Sequence, residues 1–247
     1  MRYEEFPAPR ESARVIECIW ILTPNASGGE GFDRVYPDGA TDIVVSAGNA
    51  AAHGPAPSFR WISSNVPVVG FRIRRGAART VLGMSPTELA AGPVSIEALW
   101  GRRGRELEER LAESCASTAQ VASLGGLVAE LVAGTGELDN AVLAAIDRVG
   151  HPRSTAMKDL AGEVGVSERQ LRRRFENQVG LGIKHYARMM RFQRLLDTIR
   201  QSKRSLGATS PGWAGLACDH GFADQAHLIR EVKAFSGLTP AELWLTV

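Results

Sequence analysis

Residues 167 to 175 read Ser-Glu-Arg-Gln-Leu-Arg-Arg-Arg-Phe, four arginines in nine positions. Each guanidinium is a planar fork of N–H donors that stays charged at physiological pH. Such a stretch can hold a phosphate, or the O6 and N7 edge of a guanine, through paired hydrogen bonds. A second stretch, Asp-Gln-Ala-His-Leu-Ile-Arg-Glu-Val-Lys at residues 224 to 233, carries a sparser set of donors. The competing reading of either is the wet face of an amphipathic helix, where most surface arginines sit. Nucleophilic and metal chemistry find little footing. The three cysteines, Cys18, Cys115 and Cys218, are far apart, form no CxxC pair, and read as buried thiols in a reducing compartment. Residues 1 to 150 hold a single histidine, His53, in a Gly/Pro loop, too few for a His-built metal centre. His151, His185, His220 and His227 fall in the other part, as helix-surface or phosphate-reaching groups. No G-x-S-x-G, P-loop or Cys-His pairing is present.

The elements that must position these donors are helices. Turning about 100° per residue from a start after Ser167 places Leu171, Phe175 and Gln178 on one face, with Arg169, Arg172, Arg173 and Glu176 opposite. After Asp224 the same rotation buries Leu228, Val232 and Phe235 and turns out Ala226, Ile229, Arg230 and Lys233. Ser167 and Asp224 are both N-cap residues, able to satisfy orphan backbone N–H groups. The two stretches are halves of an internal repeat. Residues 160 to 181 align with 216 to 238, pairing Leu160 with Leu216, Ala161 with Ala217, Gly165 with Gly221, Ser167 with Asp224, Leu171 with Leu228, Arg173 with Arg230, and Gly180 with Gly237. Each copy reads as a short helix, a glycine turn and a capped second helix, the layout of a helix-turn-helix. A wet face under no constraint has no reason to recur with the same caps, glycines and outward arginine.

Charge follows the same division. The net charge of +2 conceals −4 over residues 1 to 150, which contain no lysine, and +6 over residues 151 to 247. A polyanionic partner for the C-terminal part is implied. Upstream, "ARVIECIWIL", "TDIVVSAG", "FRWISS" and "VPVVGFRIRRG" are strand signals separated by "PNASGGEG", "YPDGA" and "HGPAP". That spacing predicts a small antiparallel sandwich or barrel. Helical periods follow, with Leu107, Leu111, Leu124, Leu127, Leu131, Val142, Leu143 and Ile146 as connecting helices or a dimer seam. The fold class expected is α+β: a β-rich domain over 1–100, connecting helices over 101–150, and an all-α domain over 151–247. Its two motifs span 157–178 and 213–236, joined by a linker helix over 183–200. No secretory leader or 18-residue apolar span is evident, so a cytoplasmic protein with no membrane contact is expected.

"LAGEVGVSERQLRRRFENQVGLGIKHYARMMRFQRLL" and "GFADQAHLIREVKAFSGLTPAELW" together resemble the AraC/XylS family of bacterial transcription regulators, over about residues 154 to 245. "YPDGATDIVVS" and "VVGFRIRRGAARTVLGMSPTEL" resemble the cupin-like N-terminal domain of some members, with Pro37, Asp38 and Gly39 as turn residues. The resemblance implies a non-enzymatic, sequence-specific regulator whose two recognition helices enter successive major-groove segments of double-stranded DNA. Base contacts then fall to Arg169, Arg172, Arg173, Gln225, Ala226, Ile229 and Arg230, and phosphate contacts to Arg174, His227 and Lys233. It also implies a small-molecule effector in the N-terminal domain, with Trp20, Phe32, Phe59, Trp61 and Phe71 as pocket walls. A homodimer and, for an activator, RNA polymerase are further partners; no cofactor or metal is expected. Two departures stand out: Val232 where the family has Phe, and a long connection, "RQSKRSLGATSPGWAGL", before the second motif. The alternatives are a DNA-repair alkyl-transfer protein, with a cysteine as acceptor, and a cupin-type enzyme carrying a helix-turn-helix.

Overall fold

The computed structural model describes residues 1–24, 33–114, 126, 130, 132–150, 157–206 and 212–247. Its N-terminal part contains strands β1 (Arg2–Pro7), β2 (Ile16–Thr23), β3 (Asp33–Val35), β4 (Thr41–Ser46), β5 (Asn49–His53), β6 (Arg60–Ile62), β7 (Val68–Ile73) and β8 (Val94–Ser95). Six form an antiparallel sheet in the order β1-β2-β7-β4-β5-β8, while β3 and β6 make a separate two-stranded ribbon. Side chains alternate across the sheet as the pleat requires. Ile19, Ile21, Ile43, Val45, Val69, Phe71 and Ile73 lie on one face, all buried. Helices α1 (Ala78–Leu82), α2 (Ile96–Trp100) and α3 (Arg102–Ser114), with a 3-10 helix at Pro86–Ala91, supply the other side of that core through Leu82, Leu89, Ile96, Leu107 and Leu111.

The opposite face of the sheet is polar. Trp20 donates from Nε1 to Asp42 at 2.8 Å, and Arg72 reaches Asp42, Asp38 and Glu5 at 3.4, 3.2 and 3.4 Å. Burial pushes the Asp42 carboxyl above its ordinary range, with Arg72 pulling the other way. Asp38 also accepts from the Ala40 amide at 3.0 Å, which makes it a turn residue before anything else.

Seven helices follow: α4 (Asn140–Gly150), α5 (Met157–Glu163), α6 (Glu168–Val179), α7 (Ile183–Leu206), α8 (Trp213–Asp219), α9 (Gln225–Ser236) and α10 (Pro240–Thr246), counted among the described residues. Helix α7 is the spine. Its first turns pack Ile183 and Tyr186 against Leu160, Leu171 and Phe175 of the first motif and Val142 of α4. Its later turns pack Phe192, Leu195, Leu196 and Ile199 against Ala217, Leu228, Val232 and Phe235 of the second.

Several expectations need correcting. Strands β1, β3, β5 and β8 have no counterpart in the strand signals, because their sequences are charged, alanine-rich or only two or three residues long. His53 is the last residue of β5, paired with Asp42 across the ladder, and is not in a loop. Cys218 is exposed, while Cys18 is buried as expected. Leu107 and Leu111 belong to the N-terminal core and Val142 to the first-motif core, so these three are not free for a dimer seam. Phe32, Cys115, Leu124, Leu127, Leu131 and His151 lie outside the described residues. The linker helix runs on past residue 200 to Leu206. Among the described residues no helix is long and apolar enough to cross a membrane.

Candidate nucleic-acid interface

The repeat extends to individual hydrogen bonds. In the first copy the Val166 amide donates to Ala161 O at 3.0 Å and the Gly165 amide to Gly162 O at 3.2 Å. In the second, Phe222 donates to Ala217 O at 2.8 Å and Gly221 to Cys218 O at 3.1 Å. Gly165 and Gly221 have φ of 68° and 71°, the left-handed turn that a side chain resists. Ala161 and Ala217 are buried where the helices cross.

Each second helix then opens on its cap. Ser167 accepts from the Gln170 amide at 3.3 Å, and Gln170 Oε1 accepts in return from the Ser167 amide at 3.0 Å, a complete capping box. Asp224 accepts from the His227 amide at 2.6 Å. Leu171 and Phe175, and in α9 Leu228, Val232 and Phe235, are essentially inaccessible. That burial fixes which side of each helix faces water. Arg169, Arg172, Arg173 and Arg174 are all exposed on α6, as are Gln225, Ala226, Ile229, Arg230 and Lys233 on α9.

Not every cation is equally available. Arg172 pairs with Glu168 one turn back at 2.7 Å, and Arg174 leans toward Asp139 at 3.8 Å. Both pairs are exposed enough to exchange for a phosphate. Arg169, Arg173 and Arg230 are unpaired among the described residues. His227 is more constrained: its Nδ1 accepts from the Ala223 amide at 3.1 Å and its ring sits edge-on to Phe222. Nε2 must therefore carry the proton and is the one group left to reach outward.

The sequence reading missed what orients α9. Glu231 is buried and accepts a bidentate grip from Arg188 of α7 at 2.8 and 2.9 Å. The guanidinium also lies over the Phe235 ring, and Phe235 stacks on Phe192 at 5.5 Å. The only sequence signal was a glutamate on the flank of an otherwise apolar face. His220, the C-cap of α8, is held below its ordinary pKa by burial and by the charge on Arg194.

Of the aromatics expected to line one pocket, the four among the described residues do not come together. Trp20 lies on the polar face of the sheet and Phe71 in the core on the other side. Phe59 and Trp61 belong to the β3–β6 region, where they flank Arg34 at 4.6 and 4.4 Å.

Residues 160–244 match the helix-turn-helix domain family. They are an AraC-type helix-turn-helix domain. Residues 4–95 match a second family, a domain of unknown function, DUF6597. The chain thus carries a DNA-binding helix-turn-helix domain over these residues. No curated protein matches the chain. Among solved structures it is similar to ToxT from Vibrio cholerae in its P21 form, at 10% identity over 99% of this chain and 97% of that one, TM-score 0.44. It is also similar to unsaturated fatty acid bound wild-type ToxT from Vibrio cholerae strain SCE256, at 13% identity over 88% of each chain, TM-score 0.42.

Proposed function

We propose that the AraC-type domain sets α6 and α9 into two successive major-groove segments of one duplex, so that a single chain reads a two-box site. The observation that carries this is the repeat itself: two identically closed turns, two capped helices and two exposed donor faces on one spine, α7. Arg169, Arg172 and Arg173 address one box and Gln225, Ala226, Ile229 and Arg230 the other, with Arg174, His227 and Lys233 on phosphates. Arginine forks suit guanine, and the Ala226 and Ile229 side chains suit a thymine methyl. The N-terminal β domain receives a small-molecule signal, a second copy doubles the boxes read, and RNA polymerase is the further partner of an activating form.

Alkyl transfer to a cysteine finds less support. Burial pushes the Cys18 thiol up to about 11, so the thiolate needed for attack is scarce near neutral pH. Cys218 lies exposed on α8, inside the second helix-turn-helix.

Titration of labelled duplexes at several salt concentrations tests the proposal. Each phosphate neutralised contributes about −0.9 to the slope of log affinity against log salt. A steep slope with surviving preference among sequences is expected. Salt-insensitive or sequence-blind binding would sink the regulator reading.

A further inference from the structure

The N-terminal domain touches both recognition helices at the same point of the repeat. Gly180 and Gly237 are equivalent, each following the last turn of its helix with φ of 81° and 70°. A Cβ on Gly180 would stand 2.8 Å from Pro86 and 3.1 Å from Pro55, and one on Gly237 would strike the Phe59 ring. Between these two points, Pro57 O lies 3.2 Å from His185 Nε2 at the start of α7. Residues 55, 57 and 59 of one short segment thus touch the end of α6, the start of α7 and the end of α9 in turn.

Hydrogen bonds fasten both ends. The last carbonyls of a helix lack partners within it and carry the negative end of its dipole. In α9 they are met from the N-terminal domain: the Phe59 amide donates to Phe235 O at 2.9 Å and Arg34 Nη1 to Ser236 O at 2.6 Å. Arg34 is itself held between Phe59 and Trp61, the latter its partner across the β3–β6 ribbon. In α6, Ser85 Oγ donates to Asn177 O at 3.2 Å. Two prolines, Pro55 and Pro57, restrict the segment's φ angles and hence its length.

We infer that the 55–59 segment, locked by Arg34, is a spacer that fixes the distance and angle between the two recognition helices. Arg34 and Phe59 are then positioning residues: they touch no DNA, yet they set the separation at which two boxes are read. The inference rests on the two-box reading and adds to it the element that determines spacing.

The test uses the full chain and duplexes carrying its two selected boxes at the preferred separation and at one or two base pairs more or fewer. Wild type is expected to favour one separation sharply. Arg34→Ala is expected to lower that preference about tenfold, in line with loss of a charged hydrogen bond, and Pro57→Gly, a variant at an exposed position that leaves the core intact, to lower it in the same direction by freeing φ at residue 57. Base preference within each box should survive in both. An unchanged spacing preference in a folded variant overturns the inference, as does an equal loss at every separation, which would mark a merely structural role. If wild type selects no boxes at all, the two-box reading itself has failed, an outcome separate from the other two.

Discussion

Arg188 and Glu231 show how a single pair ties α9 to α7. Glu231 is buried, whereas Arg188 keeps 45% of its side chain exposed and can turn to water when its partner is removed. Glu231→Ala is therefore expected to cost about 1 to 2 kcal/mol, less than breaking a fully buried pair. Glu231→Gln should recover part of it, and denaturant midpoints would show the order. His220 gives a pH dependence of definite sign. Burial and the charge on Arg194 disfavour protonation of this imidazole in the fold, so below its ordinary value of 6.5 the unfolded chain takes up a proton that the folded chain resists. Stability should fall as pH drops through 6.5 toward the lowered folded value, and stay level above. His53, also lowered by burial, adds in the same direction. His220→Gln should flatten part of the slope between pH 7.5 and about 5.5 when unfolding is followed across that range. An unchanged slope would mean that His220 binds its proton equally in both states. At this scale the sequence was informative where a residue obeys helix period: the outward arginines are all exposed. Arg34 and His185 were not legible, since their partners lie 202 and 128 residues away.

Among the elements, the helix-turn-helix units were readable because their determinants are local: caps, a turn glycine and a period of apolar residues. Gly165→Ala or Gly221→Ala meets no neighbouring atom, so its cost is the left-handed backbone alone, about 1 to 2 kcal/mol. Ser167→Ala removes the Oγ side of the capping box, leaving the residue-167 amide bonded to Gln170 Oε1, and should cost about 1 kcal/mol. Thermal melts of the three variants would check these values. A Gly180→Ala loss that exceeds the Gly165→Ala loss is expected as well, because its Cβ also strikes Pro86. The sheet was harder to read. β5 is Asn-Ala-Ala-Ala-His, held in place by β4 on one side and by Glu108 of α3, which accepts from the Ala50 amide at 2.6 Å. Alanine carries little strand preference, so such a strand exists because its neighbours bury it. The connecting helices showed the converse among the described residues: Leu107, Leu111 and Val142 are buried as their period predicts, but periodicity does not say which core they enter.

At the scale of the whole molecule, the basic helix-turn-helix part and the nearly neutral β domain are fastened along one line of contacts. Besides the 55–59 segment, Gln193 of α7 donates to Pro37 O at 2.7 Å, and Gly39 lies close against Tyr186. Pro37 and Gly39 thus help join the two parts as well as turning the chain. None of this was visible in the sequence, where "HGPAP" marked only a turn, because contacts between distant segments leave no periodic trace. The central claim is that two equivalent helices each read one box. Selection of bound duplexes from a random library by the full chain, followed by affinities of Arg173→Ala and Arg230→Ala on the selected site, tests it most directly. The expected site has two boxes about one helical turn apart. Each variant should lose about 1 to 3 kcal/mol and relax preference in one box only. A site with a single box, or equal losses on every sequence from both variants, would contradict it.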